Sequence, residues 1–505
     1  MTLTQPSLYD VIIVGAGTAG CVVAARLSED NSRQVLILEA GSAIPPPASA
    51  VPPAWPTLLQ SEACWGDMTT AQAAIGRAVP FARGRGVGGS STVNAMVFAR
   101  GHRDCYTAWG ENGATGWTFD DLFPYFKRSE TARQRDPSLR GDAGPMVVAP
   151  ADPPNPVLVA CLAAAAEVGY PRADDISGGL EVGFGFTDLN IVDGKRQSAA
   201  DAYLLPVLAR PNLIFEAGVM VHRLRIRGSR CTGVEYTTAD GHQVAAAGGE
   251  VIVCAGAIGS PHLLLASGIG PPSHLCPFGV DVAFDLPGVG LNLQDHPIVP
   301  LVYRAARSVP AGRHNHGELI GLIRHAATSG PPDIQVFGVD SADVPGLGGA
   351  DGYVLGVSVL QPVSRGCVKL SGPTTQAPPV IDPNYLGDER DMRTMIDGLR
   401  IARAIGTASA LDPWRAEELA PGQEAVDDAA LRSYVQRNVS SYFHPVGTCT
   451  MGNTPESVVD SKLRVYGIDG LRVIDASVMP SIPSNNTAAT VYAIAERGAD
   501  LIRRG

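Results

Sequence analysis

The sequence predicts an α/β fold, and the order of its strand-like and helix-like segments is the main reason. Residues 9–14 form a short run rich in β-branched residues, and residues 21–28 and 34–38 follow with helix-like and strand-like patterns. Strand patterns return at 213–236 and 250–254, so that strands and helices alternate along the chain. The length of 505 residues exceeds what one hydrophobic core usually organises, which favours two domains.

The segments between these elements divide the chain further. Residues 44–56 are rich in proline and predict an irregular excursion, whereas residues 155–169 have the Ala-rich pattern of a helix. Between residues 298 and 439 motifs become sparse, and strand candidates bounded by Pro or Gly appear, such as residues 353–360. This change in pattern predicts a second region that is built differently from the first.

The composition is that of a globular protein and excludes some classes of partner. Hydrophobic residues make up 45% and charged residues 18% of the chain, whereas a disordered chain would be poorer in apolar residues. The formal charge is -11 and no Lys/Arg-rich run occurs. Because binding to nucleic acids or anionic membranes depends on clustered cations, we expect neither partner.

Cysteine usage and the amino terminus favour a cytoplasmic protein. The nine cysteines are scattered and include no Cys-x-x-Cys pair, so a zinc site or a disulfide framework is not expected. Residues 1–10 lack a basic start followed by an apolar signal segment, and the apolar run at 11–14 has only the length of a strand. We therefore expect a cytoplasmic protein with no membrane span.

The glycine-rich turn after the first strand predicts a dinucleotide site. Gly15, Gly17 and Gly20 match G-x-G-x-x-G, in which the glycines permit a tight turn, close approach of a pyrophosphate and close helix packing. Glu39 ends the second strand, where a carboxylate accepts hydrogen bonds from ribose hydroxyls and repels a 2′-phosphate. The pattern alone does not separate NAD from FAD. The predicted cofactor-binding residues of this unit are Gly15, Gly17, Thr18, Ala19, Gly20, Glu39 and Ala40.

Four segments, in family order, resemble the glucose-methanol-choline (GMC) oxidoreductases, a family of flavoproteins. The first is GRGVGGSSTVN at residues 84–94, and the second is GAIGSPHLLLASGIG at residues 256–270. The third is FHPVGTCTMG at residues 443–452, and the fourth is LRVIDASVMP at residues 471–480 with SNNT at 484–487. The resemblance extends over nearly the whole chain and implies FAD as the cofactor.

The resemblance also implies a domain organisation. We expect a Rossmann-like FAD-binding domain, similar to that of glutathione reductase, from residues 1–150, 196–297 and 440–505. A discontinuous α+β substrate-binding domain, built on an antiparallel sheet, would comprise residues 151–195 and 298–439.

Further cofactor-binding residues are carried over from the family. Gly88, Gly89, Ser90 and Ser91 present backbone amides and hydroxyls with little side-chain bulk, which suits phosphate or flavin edges. Some relatives attach FAD covalently through a His in this stretch, but the matching Val93 has no nucleophile, so we predict dissociable FAD. By resemblance, the residues along FAD are Arg85, Gly86, Gly89, Ser90, Asn94, Met96, Val221, Asp475 and Ala476.

His444 and Asn486 are the predicted catalytic pair. Hydride loss from an alcohol becomes easier as its hydroxyl loses a proton, and an imidazole is a suitable base. His444 matches the family's catalytic histidine, and Asn486 matches the partner position, which holds His or Asn in relatives. The neighbouring Asn485 is the alternative partner. Tyr442 and Phe443 flank the base and are weaker candidates for the substrate pocket, with simple packing as the other interpretation.

The predicted activity is oxidation of the CH–OH group of a small alcohol to an aldehyde, with reoxidation by O2 or a quinone-type acceptor. A primary alcohol is expected, and aromatic or heteroaromatic alcohols are favoured over sugars and choline-like alcohols. A hydroxynitrile lyase on the same fold and a non-enzymatic flavin-binding protein are the alternatives. His314 and His316 alternate as metal ligands could, but no third ligand accompanies them, and loop positions are favoured over a metal site. The sequence does not indicate the oligomeric state.

Overall fold

The computed structural model describes residues 8–325, 329–342 and 351–504. Most of the amino-terminal segment from which the absence of a signal peptide was predicted, residues 1–7, lies outside the described residues. The helices are α1 Thr18–Leu27, α2 Trp55–Leu58, α3 Ser90–Val93, α4 Arg103–Glu111, α5 Phe119–Ser129, α6 Pro156–Glu167, α7 Gly256–Ala266, α8 Pro272–Leu275, α9 Glu389–Gly406, α10 Asp428–Asn438 and α11 Ala488–Arg504.

The strands fall into two large sheets and several short pairs. They are β1 Leu8–Val14, β2 Val35–Glu39, β3 Glu130–Thr131, β4 Met146–Val147, β5 Ala149–Pro150, β6 Gly183–Phe186, β7 Asp188–Leu189, β8 Ile191–Val192, β9 Lys195–Arg196, β10 Leu213–Ala217, β11 Met220–Arg227, β12 Arg230–Thr238, β13 Gly241–Val253, β14 Pro297–Ala305, β15 Leu319–Ile323, β16 Ile334–Val339, β17 Gly352–Val359, β18 Cys367–Lys369, β19 Val380–Asp382, β20 Arg415–Ala420, β21 Ser440–Ser441 and β22 Leu471–Val473.

The first sheet contains the predicted β-α-β unit. Its strand order is β10-β2-β1-β13-β12-β11, and β22 pairs with β13. β1 pairs in parallel with both β2 and β13, and β22 is parallel to β13, whereas β11 and β12 form an antiparallel extension. All five residues of β2 are buried, as expected for a parallel strand covered on both faces. The predicted strand–helix–strand order is confirmed within a few residues.

The second sheet is antiparallel, with the strand order β20-β14-β17-β16-β15-β6 and with β21 paired to β14. The predicted antiparallel sheet in the second region is therefore confirmed. Ser440–Ser441 lie in the segment assigned by prediction to the FAD-binding domain, yet they pair with the first residues of β14. The domain boundaries themselves stay a prediction.

The two faces of the second sheet serve different purposes because side chains alternate along a strand. Val299 and Leu301 of β14, and Val357 of β17, face a hydrophobic core that is shared with α6, α9 and α10. The intervening residues point the other way, and Ile298, Pro300, Phe337, Val339, Val354 and Gly356 line a large cavity. We call these six residues the apolar wall.

Local sequence explains how the helices behind this wall begin. Asn155 caps α6 by accepting a hydrogen bond from the Val157 amide, and Pro156 follows as the first helical residue. Asp388 caps α9 in the same way through the Arg390 amide. The predicted helix at 155–169 is thus confirmed, and it begins where its cap and proline indicate. Among the described residues, no helix combines the length and the apolarity that crossing a membrane would require.

Candidate active site

A cavity of about 1090 Å³ lies between the two large sheets. On one side are the ends of the parallel strands β1, β2, β13 and β22, where α/β proteins usually bind their ligands, and on the other is the apolar wall. The predicted site residues that line this cavity are Gly15, Gly17, Thr18, Ala19, Glu39, Ala40, Gly89, Ser90, Asn94, Val221, Tyr442, Phe443, His444, Asp475, Ala476 and Asn486.

The predicted glycine-rich turn has the geometry that a pyrophosphate site requires. Gly15 has a φ of 102°, and a Cβ added there would lie 2.6 Å from the Cys254 carbonyl oxygen. At Gly20 an added Cβ would lie 1.8 Å from the Gly15 carbonyl oxygen, so that α1 can pack closely only with glycine at this position. Gly20 does not line the cavity but holds α1, whose amino end faces the cavity through Thr18 and Ala19.

Glu39 connects this turn to the second glycine-rich segment. Its Oε2 accepts a hydrogen bond from the Ala16 amide at 2.9 Å, and its Oε1 accepts from the Gly41 and Gly86 amides, each at 2.9 Å. A carboxylate offers about four acceptor positions, so one remains for a ribose hydroxyl. Gly86 is therefore placed against Glu39 rather than on the cavity surface.

The second glycine-rich segment lies against the first. Gly88 and Gly89 have φ values of 83° and 54°, and a Cβ added to Gly89 would lie 2.7 Å from the Cα of Gly17. The Ser90 hydroxyl accepts a hydrogen bond from the Gly84 amide at 3.1 Å, which orders the start of α3. The backbones of the two glycine-rich segments thus meet at the cavity surface with no side chain between them.

Arg85 and Met96, both predicted to lie along FAD, do not line the cavity. The Arg85 guanidinium lies over the Trp65 ring, 5.1 Å from its centroid, and Trp65 does line the cavity. Met96 is fully buried and has a φ of 58°, and its amide donates to Asn94 Oδ1. Each residue contacts a side chain that lines the cavity, Trp65 for Arg85 and Asn94 for Met96. Their contact with FAD stays a prediction.

Asp475 acts as a structural junction at the cavity. Its Oδ2 accepts hydrogen bonds from the Gly256 amide and the Ser260 hydroxyl, both at the amino end of α7. Its Oδ1 accepts from the amide and the hydroxyl of Ser477. Four protein donors occupy this carboxylate, so we expect it to place the α7 amino end and Ala476 beside the cofactor.

These residues fit a flavin dinucleotide. The side-chain-free contact between the two glycine segments, the open acceptor position of Glu39 and the amino ends of α1 and α7 match a ribose and a pyrophosphate. The same cavity extends from there to His444 and Asn486, so it joins the dinucleotide site to the predicted catalytic pair.

His444 and Asn486 are brought together at the far end of the cavity. Asn486 Nδ2 lies 3.1 Å from His444 Nε2, and the two residues are only 8% and 7% exposed. The Asn486 Oδ1 atom is buried and has no hydrogen-bonding partner in the described part of the chain. The Asn485 side chain is directed elsewhere, because its Oδ1 accepts hydrogen bonds from the Gln335 side chain and from the backbone N–H of Asn486. This arrangement favours Asn486 as the partner of His444.

Two neighbours that the sequence did not single out hold His444 in place. Asp295 accepts a hydrogen bond from the His444 amide at 2.8 Å and further bonds from Tyr385 and Ser441. His296 Nδ1 lies 3.0 Å from His444 Nδ1. The Asp-His-Pro sequence at 295–297, where β14 begins, is a visible signal, but only the fold shows that it meets residue 444.

Burial determines the charge of these groups. It lowers the pKa of His444 well below its usual range, and the neighbouring His296 adds to this effect. Burial also lowers the pKa of His296 to about 3 and raises the pKa of Asp295 to about 6. Both imidazoles are therefore neutral near pH 7.

Tyr442 and Phe443 both line the cavity, as predicted for pocket residues. The Tyr442 ring stacks on Phe337 of the apolar wall with centroids 4.9 Å apart, and it lies 4.5 Å from the His444 ring. Phe443 has a φ of 65° and turns the chain so that His444 faces the cavity.

His314 and His316 lie in a loop, as favoured, and His316 holds a segment over the cavity. His316 Nδ1 lies 2.6 Å from Asp340 Oδ1, and its Nε2 lies 3.1 Å from the Pro53 carbonyl oxygen. The Trp55 indole N–H donates to the Asn315 carbonyl at 2.8 Å. The described residues contain no group of three or more His, Cys, Asp or Glu able to hold a metal ion.

Comparison with known proteins agrees with this geometry. Family models of the GMC oxidoreductases match residues 9–298 and 362–495. The chain is 37% identical to the mitochondrial choline dehydrogenase of Homo sapiens, over 98% of this chain and 90% of that protein. It is 37% identical to the crystal structure of pyridoxine 4-oxidase from Mesorbium loti, with a TM-score of 0.95 and coverage of 98% and 99%.

A fungal aryl-alcohol oxidase is also similar, with 27% identity, a TM-score of 0.87 and 99% coverage of both chains. The family models together match well over half of the chain, and the matched regions contain both glycine-rich segments and the His444–Asn486 pair. The chain therefore belongs to the GMC oxidoreductases, FAD-dependent enzymes that oxidise alcohols.

Proposed function

We propose that this enzyme oxidises the hydroxymethyl group of a small, uncharged aromatic or heteroaromatic alcohol to the aldehyde. The observation that carries the proposal is the position of the His444–Asn486 pair. The pair faces the cavity next to the apolar wall, where the Phe337 ring stacks on Tyr442 beside the base. A flat ring can pack against such a surface while its hydroxymethyl group reaches His444.

The charges of the lining support an uncharged substrate over choline. Among the described residues, the carboxylates that line the cavity are Glu39, Asp67 and Asp475. Glu39 and Asp475 accept hydrogen bonds from backbone and hydroxyl groups, and Asp67 forms an ion pair with Arg83. None of the three contacts His444 or Asn486. A quaternary ammonium group would therefore find no free carboxylate among them, although a choline dehydrogenase is among the relatives.

The chain's own residues bind the alcohol and move its proton. The substrate oxygen accepts a hydrogen bond from the Asn486 amide, and the hydroxyl proton passes to Nε2 of His444. FAD, when bound, supplies the oxidising power by accepting a hydride from the substrate carbon. The apolar wall and the buried rings exclude water and strengthen these polar interactions.

We further propose that FAD is bound without a covalent link and that O2 or a quinone-type compound accepts its electrons. Val93 lines the cavity at the position where some relatives carry a histidine, and its side chain has no nucleophile. All nine cysteines are free, which is consistent with the cytoplasm as the proposed compartment.

The test is an anaerobic titration of the purified yellow protein with benzyl alcohol, furfuryl alcohol, pyridoxine, choline and glucose. We expect an aromatic or heteroaromatic alcohol to bleach the flavin, and O2 or a quinone to restore its colour. Bleaching by choline or glucose alone would contradict the substrate class. Cleavage of a hydroxynitrile without bleaching by any alcohol would contradict the oxidation itself. Flavin that stays with the acid-precipitated protein would contradict dissociable FAD.

A further inference from the structure

A continuous line of contacts joins a backbone carbonyl to the cavity through two histidines. His296 Nε2 lies 3.1 Å from the Leu360 carbonyl oxygen, and its Nδ1 lies 3.0 Å from His444 Nδ1. The other nitrogen of His444, Nε2, faces Asn486 and the cavity. His296 is completely buried and does not itself line the cavity.

The Leu360 carbonyl oxygen, at the start of this line, determines which nitrogens of the two histidines carry a proton. A carbonyl oxygen only accepts hydrogen bonds, so His296 must carry a proton on Nε2. A neutral imidazole has one ring proton, which leaves His296 Nδ1 bare. Two bare nitrogens 3.0 Å apart would repel each other, so His444 must carry its proton on Nδ1. Its Nε2 then carries no proton, and its lone pair accepts a hydrogen bond from Asn486 Nδ2.

We propose that His296 is a positioning residue that keeps the ring proton of His444 on Nδ1 and so leaves Nε2 free to act as the base. Within the described residues, the ring nitrogens of His444 face His296 and Asn486 and no carboxylate, and Asp295 accepts from the His444 backbone amide. A neutral imidazole thus holds the tautomer and the orientation of the base, a role that a carboxylate has for the histidine of a serine protease.

This arrangement matches the proton transfer that alcohol oxidation needs, and in this respect the inference rests on the proposed function. The substrate O–H bond breaks, a new N–H bond forms at Nε2 of His444, and the electron pair stays on the oxygen beside the Asn486 amide. The resulting imidazolium still donates its Nδ1 proton to His296. The positive charge therefore stays on His444, and no proton has to pass on to His296 during this step.

Without His296, the other tautomer of His444 becomes available, and it carries a proton where the base should be. We expect His296→Leu to lower the rate constant of flavin reduction by about 10²-fold, within the range of general-base catalysis, with KM changing much less than kcat. His296→Gln should recover most of this rate. Its amide nitrogen can donate to Leu360 while its oxygen accepts from His444, with about the same spacing as the two ring nitrogens.

A matched control separates this effect from the loss of a buried ring. His102 is also buried, at 4% exposure, but it neither lines the cavity nor contacts His444 or Asn486. His102→Gln should therefore leave the flavin reduction rate unchanged. Flavin content and thermal unfolding of each variant will show whether it folds and binds FAD.

The decisive measurement is nitrogen NMR of the FAD-loaded protein labelled with ¹⁵N in histidine, with assignments from the single variants. We expect His444 protonated on Nδ1 and bare on Nε2 in the native chain, and a mixture of tautomers in His296→Leu. A native His444 protonated on Nε2, or one whose tautomer is the same in His296→Leu, would overturn the proposal. Because this reading needs no alcohol, it stands apart from any failure of the proposed oxidation.

Discussion

At the scale of single residues, the proposed role of His444 depends on the contacts that place it beside Asn486, Asp295 and His296. The sequence identified this histidine and Asn486 through a family resemblance, and the structure brings them to 3.1 Å. It also shows what no local pattern gives, namely that Asp295 fixes the backbone of residue 444. The contact between Asp295 and His444 joins residues 149 positions apart, so it could not be read from spacing.

Removal of the base should impair chemistry and not cofactor binding. We expect His444→Ala to slow flavin reduction by about 10²- to 10⁴-fold, the range typical of general-base catalysis, while the protein keeps its FAD. Stopped-flow measurement of flavin bleaching under anaerobic conditions tests this. Unchanged reduction kinetics would remove His444 from the proposed role.

The pH dependence of flavin reduction should reflect the buried setting of the base. Burial lowers the pKa of His444, so the imidazole stays neutral as the pH falls through the usual histidine range. We therefore expect the reduction rate constant to hold its value from pH 8 down to below about 6.5, the ordinary pKa of histidine. A loss of rate centred near that ordinary value would show that the base is solvated, contrary to the structure.

At the scale of elements, the β-α-β unit was predicted well because its signals are local. Three glycines and Glu39 fall within one short stretch, and each has a steric or hydrogen-bonding reason to be there. The predicted run at 213–236 was too coarse, since it contains three strands, β10, β11 and β12. Short turns between strands of similar composition leave little signal in the sequence.

Close packing at Gly20 provides a test at this scale. A Cβ at this position would lie 1.8 Å from the Gly15 carbonyl oxygen, and backbone atoms cannot yield as a flexible side chain does. We expect Gly20→Ala to displace α1, lower flavin content and reduce the melting temperature. Gly248→Ala is the control, because an added Cβ there meets its nearest neighbour, Leu8, at 3.5 Å and Gly248 does not line the cavity. A Gly20→Ala protein with full flavin content would show that α1 is not held by this contact.

The proline-rich segment over the cavity should respond to pH through His316. Both ring nitrogens of His316 face acceptors, Asp340 and the Pro53 carbonyl, so the complete set of bonds needs the protonated ring. The hydrogen bond to Asp340 raises the pKa of His316, while burial raises that of the nearby Glu318 to about 7. The contribution of His316 is therefore complete below its ordinary pKa and is lost as the pH rises through the raised value.

We expect amide hydrogen exchange of residues 44–59 to be slow near pH 6 and, after correction for intrinsic rates, faster at pH 8 to 9. In His316→Gln, whose amide offers only one end as a donor, the protection should be weaker and independent of pH. Equal protection at both pH values in the native chain would show that His316 does not hold the segment.

At the scale of the whole molecule, the cavity is formed by both large sheets, so its ligand should stabilise the entire fold. A ligand present at 100 times its Kd adds about 2.7 kcal/mol to the free energy of unfolding. We expect removal of FAD at low pH and high salt to lower the melting temperature, and its return to restore it. Thermal unfolding followed at several FAD concentrations tests this, and a melting temperature independent of FAD would contradict the assigned site.

The sequence predicted two kinds of sheet, but their mutual arrangement came only from the structure. The parallel core and the antiparallel second sheet follow from strand patterns and from the family resemblance. The pairing of β21 with β14 and the approach of residues 53–55 to residues 315–316 depend on contacts between residues more than 140 positions apart. Such contacts are decided by the packing of the whole chain.

The alternation of side chains along β14, β16 and β17 also bears on how enzymes of this kind diversify. Residues such as Val299, Leu301 and Val357 pack against the helices, and the residues between them include members of the apolar wall. A substitution such as Ile298→Val can alter which alcohols are accepted while the helix-facing residues of the same strand stay intact. Selection for a new substrate and selection for foldability can therefore act on separate positions of one sheet.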